Sequence, residues 1–219
     1  QKEMALAAIH HQADAIFVGF PSFNARGRSY DFQIPELKEI IETCHLYGVK
    51  VNLALNILIF QNELVEVEKA LYEVSPEQPI HGSTQMTVTN DLAIQFLDDL
   101  KIKRFVLGRE NSLSEIKLIA NKTTKELEVF VHGALCVSYS GQCFTSESFG
   151  GRSANRGQCA QSCRLSYDLY VDGEKKNLVD KNCLVSPQDL CGISEIPQLM
   201  EIGVKSFKVE GRLKTPEYV

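Results

Sequence analysis

Short apolar runs separated by amphipathic stretches set the pattern of this chain. Runs at residues 15–19, 49–55, 79–85, 104–108, 127–133 and 204–209 have the length of buried strands. Most gaps between them carry a helical pattern. The chain begins with one, and Pro35 suits the first turn of the next, with Leu37, Ile40, Ile41 and Cys44 on one face and Gly48 as its stop. Leu92, Phe96, Leu97 and Leu100 mark a third. Ser112 and Glu115 stand at capping-box spacing before Ile116 and Ile119. Residues 187–202 read as the last helix, stopped by Gly203 and divisible at Pro197.

Alternation of buried strands with helices argues for an α/β fold with a parallel sheet, closed or doubly wound. A closed barrel is favoured because polar residues cluster just after the strands: Asn24 and Arg26, Asn56, Ser83 to Gln85, Arg109 and Glu110, His132, Glu210 and Arg212. In such barrels the C-terminal strand ends carry the chemistry. Six strands are visible, so the expected fold is an incomplete TIM-like parallel (β/α) barrel. From Cys136 to Arg164 regularity is lost to Gly, Ser, Asn and Cys; residues 165–171 then alternate into an Asp172-Gly173 turn. The expected organisation is incomplete barrel over 1–135, a Cys-rich irregular and β-hairpin insertion over 136–183, and a return to the barrel over 184–219.

The chain of 219 residues is 44% hydrophobic and 23% charged, a globular balance that excludes disorder as the main state. No apolar run approaches the roughly 20 residues of a membrane span. With no secretory leader at Gln1-Lys2-Glu3, a cytoplasmic location is expected, and seven cysteines in that setting point away from a disulfide framework. The net charge of −5 is uneven. Arg152, Arg156 and Arg164 occur with no acid between Gly150 and Leu165, making that stretch locally basic.

Cys136, Cys143, Cys159 and Cys163 are spaced C-x6-C-x15-C-x3-C, a clustering that suits zinc or an iron–sulfur cluster without choosing between them. Cys44 reads as a small apolar residue on a helix face. For a peptidase there is neither H-E-x-x-H nor G-x-S-x-G. His10, His11 and His45 read as surface residues, whereas His81 and His132 fall at the C-terminal ends of expected strands. Cys136 with His132 is the one available nucleophile–base pair, and it leaves the other three cysteines unexplained.

The segment from Glu128 to Cys136 (EVFVHGALC), with Tyr139-Ser140-Gly141-Gln142-Cys143 after it, closely resembles the signature of the peptidase U32 family, also called collagenase-like proteases. Residues 151–164, 184–190 and 208–214, and upstream 23–26 and 80–85, are similar to that family as well. The resemblance implies a barrel-like domain and, in better understood members, oxygen-independent hydroxylation. Members similar to this chain hydroxylate the wobble uridine of tRNA using prephenate, others a cytidine of ribosomal RNA, and more distant ones act on ubiquinone precursors with a [4Fe-4S] cluster. By this resemblance a [4Fe-4S] cluster, with zinc as the alternative, would sit on Cys136, Cys143, Cys159 and Cys163, with Cys191 as a competing ligand. A small dicarboxylate donor such as prephenate, and tRNA or rRNA, would meet Arg26, Arg109, Arg152, Arg156, Arg164, Arg212 and Tyr139. His132, His81 and Glu210 are the catalytic candidates. The expected function is 5-hydroxyuridine formation in tRNA; the alternatives are a collagenase-like peptidase and a non-catalytic RNA-binding module with structural zinc. Against the family pattern, the first strand and a strand–helix unit expected near Lys69, Ala70 and Leu71 are missing, and the family continues beyond Val219.

Overall fold

The structure, a computed structural model, describes residues 2–20, 23–25, 33–74, 79–211 and 214–219. Helix α1 (Lys2–His10) leads into strand β1 (Ala15–Gly19), and helix α2 (Ile34–Leu46) returns the chain to β2 (Lys50–Ala54), parallel to β1 from Ala15–Lys50 to Gly19–Ala54. As the spacing predicts, α2 buries Leu37, Ile40 and Cys44, which meet Ile16, Val18, Val49 and Ile9 in one apolar cluster. Beyond α3 (Leu64–Val74) come β3 (His81–Gly82), α4 (Asp91–Phe96), β4 (Arg104–Val106), α5 (Leu113–Ala120) and β5 (Glu126–Gly133). A segment of short elements comes next, with α6 (Thr145–Gly150), the hairpin β6 (Tyr170–Val171) and β7 (Glu174–Lys175), and β8 (Leu190–Cys191); α7 (Ile196–Ile202) and β9 (Ser206–Val209) close the sequence of elements.

The second sheet runs β3-β4-β5 in parallel, with β9 parallel on the far side of β5 and β8 antiparallel to its last residues. Side chains alternate across it, as the pleat requires. Phe105, Leu107, Leu127, Val129 and Val131 face the helices and bury against Ile94, Ile116, Ile119 and Leu199. At about 1.5–3 kcal/mol for each large apolar side chain, this layer is the main support of the fold. The opposite, inner face is polar. There Glu128 accepts from Lys208 Nζ at 2.9 Å, Ser206 Oγ at 2.8 Å and Arg104 Nη1 at 3.3 Å, while Arg104 also pairs with Glu126 at 2.7 Å. Among the described residues no backbone ladder joins β1 or β2 to this sheet. A side chain spans the gap instead, with Lys208 Nζ 4.0 Å from the centroid of the Phe17 ring.

Several expectations change. The helix expected over 187–202 is a strand followed by a shorter helix: Leu190 and Cys191 pair with Gly133 and His132, and Pro197 lies in the first turn of α7, where a missing N–H is harmless. In α4 the buried residue is Ile94, whereas Leu92 and Phe96 are exposed, because the helix lasts six residues and a 3-10 turn at Asp98–Leu100 redirects the chain. The expected strand over 79–85 shrinks to His81–Gly82, since Ser83 turns the chain and its hydroxyl accepts from Gln85 N. Lys69, Ala70 and Leu71, near which a strand–helix unit is expected to be missing, lie within α3.

Candidate active site at the strand ends

The loops leaving the parallel strands hold one another through polar side chains. Asn56, just beyond β2, accepts from Ala25 N at 2.9 Å and donates to Ser83 Oγ at 3.3 Å, which ties together the chain beyond β1, β2 and β3. Beyond β4, the Arg109 guanidinium lies 3.8 Å from the centroid of the Phe130 ring and pairs with Glu210 at 3.3 Å. Glu210 is placed by the end of β9: its N–H donates to His132 O at 2.9 Å, and its Cβ is packed against Gly133, where any Cβ would stand 2.4 Å away. Gly133 has φ +125°, a conformation glycine alone adopts readily, so this close approach requires it.

Glu110 anchors the Cys-rich segment to the same rim. One carboxylate oxygen accepts from Ser140 N, and the Ser140 carbonyl accepts from the Thr87 hydroxyl. The turn so held, Tyr139 to Gln142, joins Cys136 to Cys143, and Gly141 (φ +74°) lets it press against the backbone of Gln85. The other Glu110 oxygen, Oε2, is buried without a hydrogen-bond partner among the described residues. A buried polar atom left so costs on the order of 1–3 kcal/mol.

Further latches hold the rest of the segment. The Arg156 guanidinium grips both oxygens of Glu63 at 2.7 Å and lies 4.5 Å from the Phe60 ring centroid, and Asn155 O accepts from Leu58 N at 3.2 Å. Arg156 holds the Glu63 carboxyl far down, at about 2. Arg164 donates to Leu135 O at 2.6 Å, Ser186 Oγ at 2.6 Å and Pro187 O at 2.7 Å. Within the segment, Ala160 N donates to the buried Ser146 hydroxyl at 2.9 Å.

These latches bring four thiols, none in a disulfide, into one electrostatic neighbourhood. Burial pushes the Cys136 thiol up although the residue as a whole is exposed; nearby Arg109 opposes this, and Cys159, Cys163 and Cys143 reinforce it. Cys163 is likewise raised by burial, with Arg164 opposing and Cys159 and Cys143 adding. Cys143 goes the other way. Burial is outweighed there by hydrogen bonds from the N–H of Thr145 and Ser146 and the hydroxyls of Ser138 and Thr145, which favour its thiolate. Among the described residues no three His, Cys, Asp or Glu side chains are arranged to share one metal ion.

The remaining site candidates separate. His81, next to the C-terminal residue of the two-residue β3, is level with Arg104 and Glu126, the first rungs of β4 and β5. Six residue steps along β5 separate that level from His132, roughly 20 Å along the strand. Burial, with Arg104 and Lys208 nearby, pushes His81 down against the opposing pull of Glu128 and Glu126, so its imidazole is neutral near pH 7. His132 is at the rim, but a register irregularity after Phe130 places it opposite Val209 and Cys191 in the ladder, and its ring lies 5.4 Å from that of Tyr218. No histidine hydrogen-bonds a cysteine or serine side chain among the described residues, so the Cys136–His132 pair is not formed. Tyr139 is exposed, as is Cys191 on β8. Arg152 has neither ion pair nor hydrogen bond among the described residues, and Arg26 and Arg212 lie outside them. Glu110 is the rim residue whose role sequence reasoning missed; the signal available was Gly108 two positions before it.

The chain matches Peptidase family U32 over residues 1–75 and 69–219. It is 36% identical to tRNA hydroxylation protein P1 of Bacillus subtilis over 97% of this chain and 57% of that protein. It is also 36% identical to the 23S rRNA 5-hydroxycytidine C2501 synthase of Escherichia coli, over 99% of this chain and 36% of that one. A collagenase of Porphyromonas gingivalis is 31% identical over 99% of this chain and 60% of its own length. The chain thus spans between about a third and three-fifths of these relatives. The solved structure of the U32 peptidase Mk0906 superposes with a TM-score of 0.57 at 11% identity, over 91% of this chain and 85% of that one, which shows a shared fold. With its family motifs distributed from the first sheet to β9 and matched over nearly its whole length, the chain belongs to peptidase family U32.

Proposed function

We propose that the protein is an RNA hydroxylase that installs a hydroxyl group on a pyrimidine, with an iron–sulfur cluster held by Cys136, Cys143, Cys159 and Cys163. The observation that carries this reading is that the segment bearing the four thiols is latched to the rim of the parallel strands through Glu110, Arg156 and Arg164, with Arg109 near the Cys136 thiol. The relatives named for hydroxylation of tRNA and for a ribosomal 5-hydroxycytidine support it. A tetrahedral zinc would draw its sulfurs to about 3.8 Å from one another. Iron and acid-labile sulfide content distinguishes that zinc from a cluster on the same four cysteines.

When bound, such a cluster would supply the one-electron chemistry that hydroxylation without oxygen needs. The chain's own residues do the positioning. Glu210 and Phe130 fix Arg109, whose remaining N–H groups can take a carboxylate of a small donor such as prephenate. Tyr139, exposed on the turn between two of the cysteines, can stack on a base. The product in this reading is 5-hydroxyuridine in tRNA, made in the cytoplasm. The two sheets are then arcs of one incomplete barrel, a reading supported by the Phe17–Lys208 contact between them, with the Cys-rich segment inserted at its mouth.

Nucleosides from a deletion strain, complemented with wild-type or Cys143→Ser full-length protein, test the proposal by mass spectrometry. One hydroxylated pyrimidine should vanish on deletion and return with wild type only. Iron and acid-labile sulfide should copurify with wild-type protein under anaerobic conditions and fall in the variant. An unchanged nucleoside profile, with gelatin cleavage by the pure protein, would select the peptidase reading; stoichiometric zinc without sulfide would remove the cluster.

A further inference from the structure

We propose that Glu110 is the residue that reads the target base, its Oε2 accepting a hydrogen bond from an N–H on the Watson–Crick edge of the pyrimidine. This deepens the hydroxylase reading and rests on it. Three features of the structure lead there. Oε1 already does the structural work of accepting from Ser140 N, for which a single oxygen, and therefore an amide, would suffice. Oε2 is surplus to the fold, buried with no partner among the described residues. Finally, the chain makes room for it: a Cβ on Gly108 would stand 2.3 Å from Oε2, so the glycine keeps open the space the oxygen occupies.

Position narrows the ligand. Glu110 comes directly after Arg109 and lies under the Tyr139–Gln142 turn that connects Cys136 with Cys143, so what it binds is next to the proposed reaction centre. A carboxylate oxygen only accepts, so its ligand must present a donor. Uracil offers N3–H and cytosine its N4 amino group, and both become available when a base is unpaired and splayed from its stack. Oε2 is buried in the ligand-free chain, beside the oxygen that carries the turn. The turn's polar hold on the strand ends is light, one hydrogen bond from Ser140 N to Glu110 and one from Thr87 to the Ser140 carbonyl, so an entering base can lift it.

The test is a binding comparison on the full-length protein, using short single-stranded RNAs that carry uridine or 3-methyluridine, and a second pair with cytidine or N4,N4-dimethylcytidine. Wild type should favour the unmethylated member of one pair by about tenfold, the size expected of one hydrogen bond to a charged acceptor. Glu110→Gln keeps an oxygen for Ser140 but puts an NH2 group in place of the acceptor, and the preference should disappear. Gly108→Ala is the second variant: its methyl displaces only the flexible end of Glu110, since the next atom, Asn111 Nδ2, is at an ordinary 3.7 Å beyond the Glu110 carboxyl, and Gly108 has no positive φ. It should also lose the preference, at some cost to the Ser140 hold that the same carboxylate provides, whereas Glu110→Gln keeps that hold. Undiminished preference in both variants, or no preference in either pair for wild type, overturns the assignment. The cellular nucleoside profile reports separately on hydroxylation, so Glu110-dependent discrimination without loss of a hydroxylated nucleoside would sink the enzymatic reading and leave the base-reading residue standing.

Discussion

Arginines that look equivalent in the Cys-rich sequence divide by what already holds them. Arg152 has no partner among the described residues and remains available to a phosphate, whereas Arg156 and Arg164 are fastened to Glu63 and to backbone carbonyls and hold the segment down. Replacing Arg152 by Ala should therefore lower the magnitude of the log–log salt slope of RNA binding by roughly one, with melting unchanged. Arg156→Ala should instead loosen residues 154–164, read as faster limited proteolysis there and a lower melting temperature. The Glu63–Arg156 pair also predicts a pH dependence. Glu63 titrates at about 2 in the folded chain against an ordinary 4.5, so its contribution is complete above about 4.5 and is lost as pH falls toward 2. Protection of the segment should weaken through that window in wild type, and Glu63→Gln should be weak and flat across it. An equal acid response in both proteins would show that another group governs the latch.

At the scale of elements, the junction of β5 with β9 sets the rim. The ladder slips between Phe130 and His132: Lys208 stays level with Phe130 and reaches Glu128, while His132 pairs with Val209 and Cys191 and Glu210 reaches Arg109. Gly133→Ala places a methyl 2.4 Å from the Glu210 Cβ at φ +125°, so it should destabilise by about 1–3 kcal/mol in urea unfolding and weaken the Arg109–Glu210 pair. A variant as stable as wild type would mean that the junction can shift without loss. Such a slip is not written in hydrophobic spacing, which is where the legibility of the sequence ends. Long apolar strands such as β5, and helices with local stop and start signals such as α2 and α5, are legible because their causes are local. Leu190 and Cys191 read as helix because their pairing partners, Gly133 and His132, are some 58 residues away in sequence. Residues 79–85 read as one strand because they contain no helical pattern, yet the hydroxyl of Ser83 ends it after two residues.

Across the whole molecule, the cysteines are legible by residue type, whereas the groups that aim them are not: Glu110 gains its role from a turn 30 residues away, and Arg156 from an acid 93 residues before it. The inner face is another long-range construction. Lys208 on β9 joins Glu128 on β5 to the Phe17 ring on β1, and so connects two sheets that share no backbone ladder among the described residues. Burial alone would push the Glu128 carboxyl up; Lys208, Ser206 and Arg104 outweigh it and hold the group below its usual range. Because the folded value is depressed, the stabilisation is present above the ordinary carboxylate pKa and is lost as pH falls through the folded one. Lys208→Met keeps the length of the side chain and removes its charge. It should cost on the order of 3–5 kcal/mol at neutral pH, the range for a buried carboxylate deprived of one partner, with Arg104 and Ser206 keeping the loss toward the lower end. It should also raise the Glu128 pKa, so the acid-unfolding midpoint moves to higher pH, while a Lys208→Met, Glu128→Gln double variant recovers part of the lost stability. Urea unfolding at neutral pH and circular dichroism across an acid titration measure the two effects, and an unmoved acid midpoint in Lys208→Met would show that Lys208 does not hold the Glu128 charge in place.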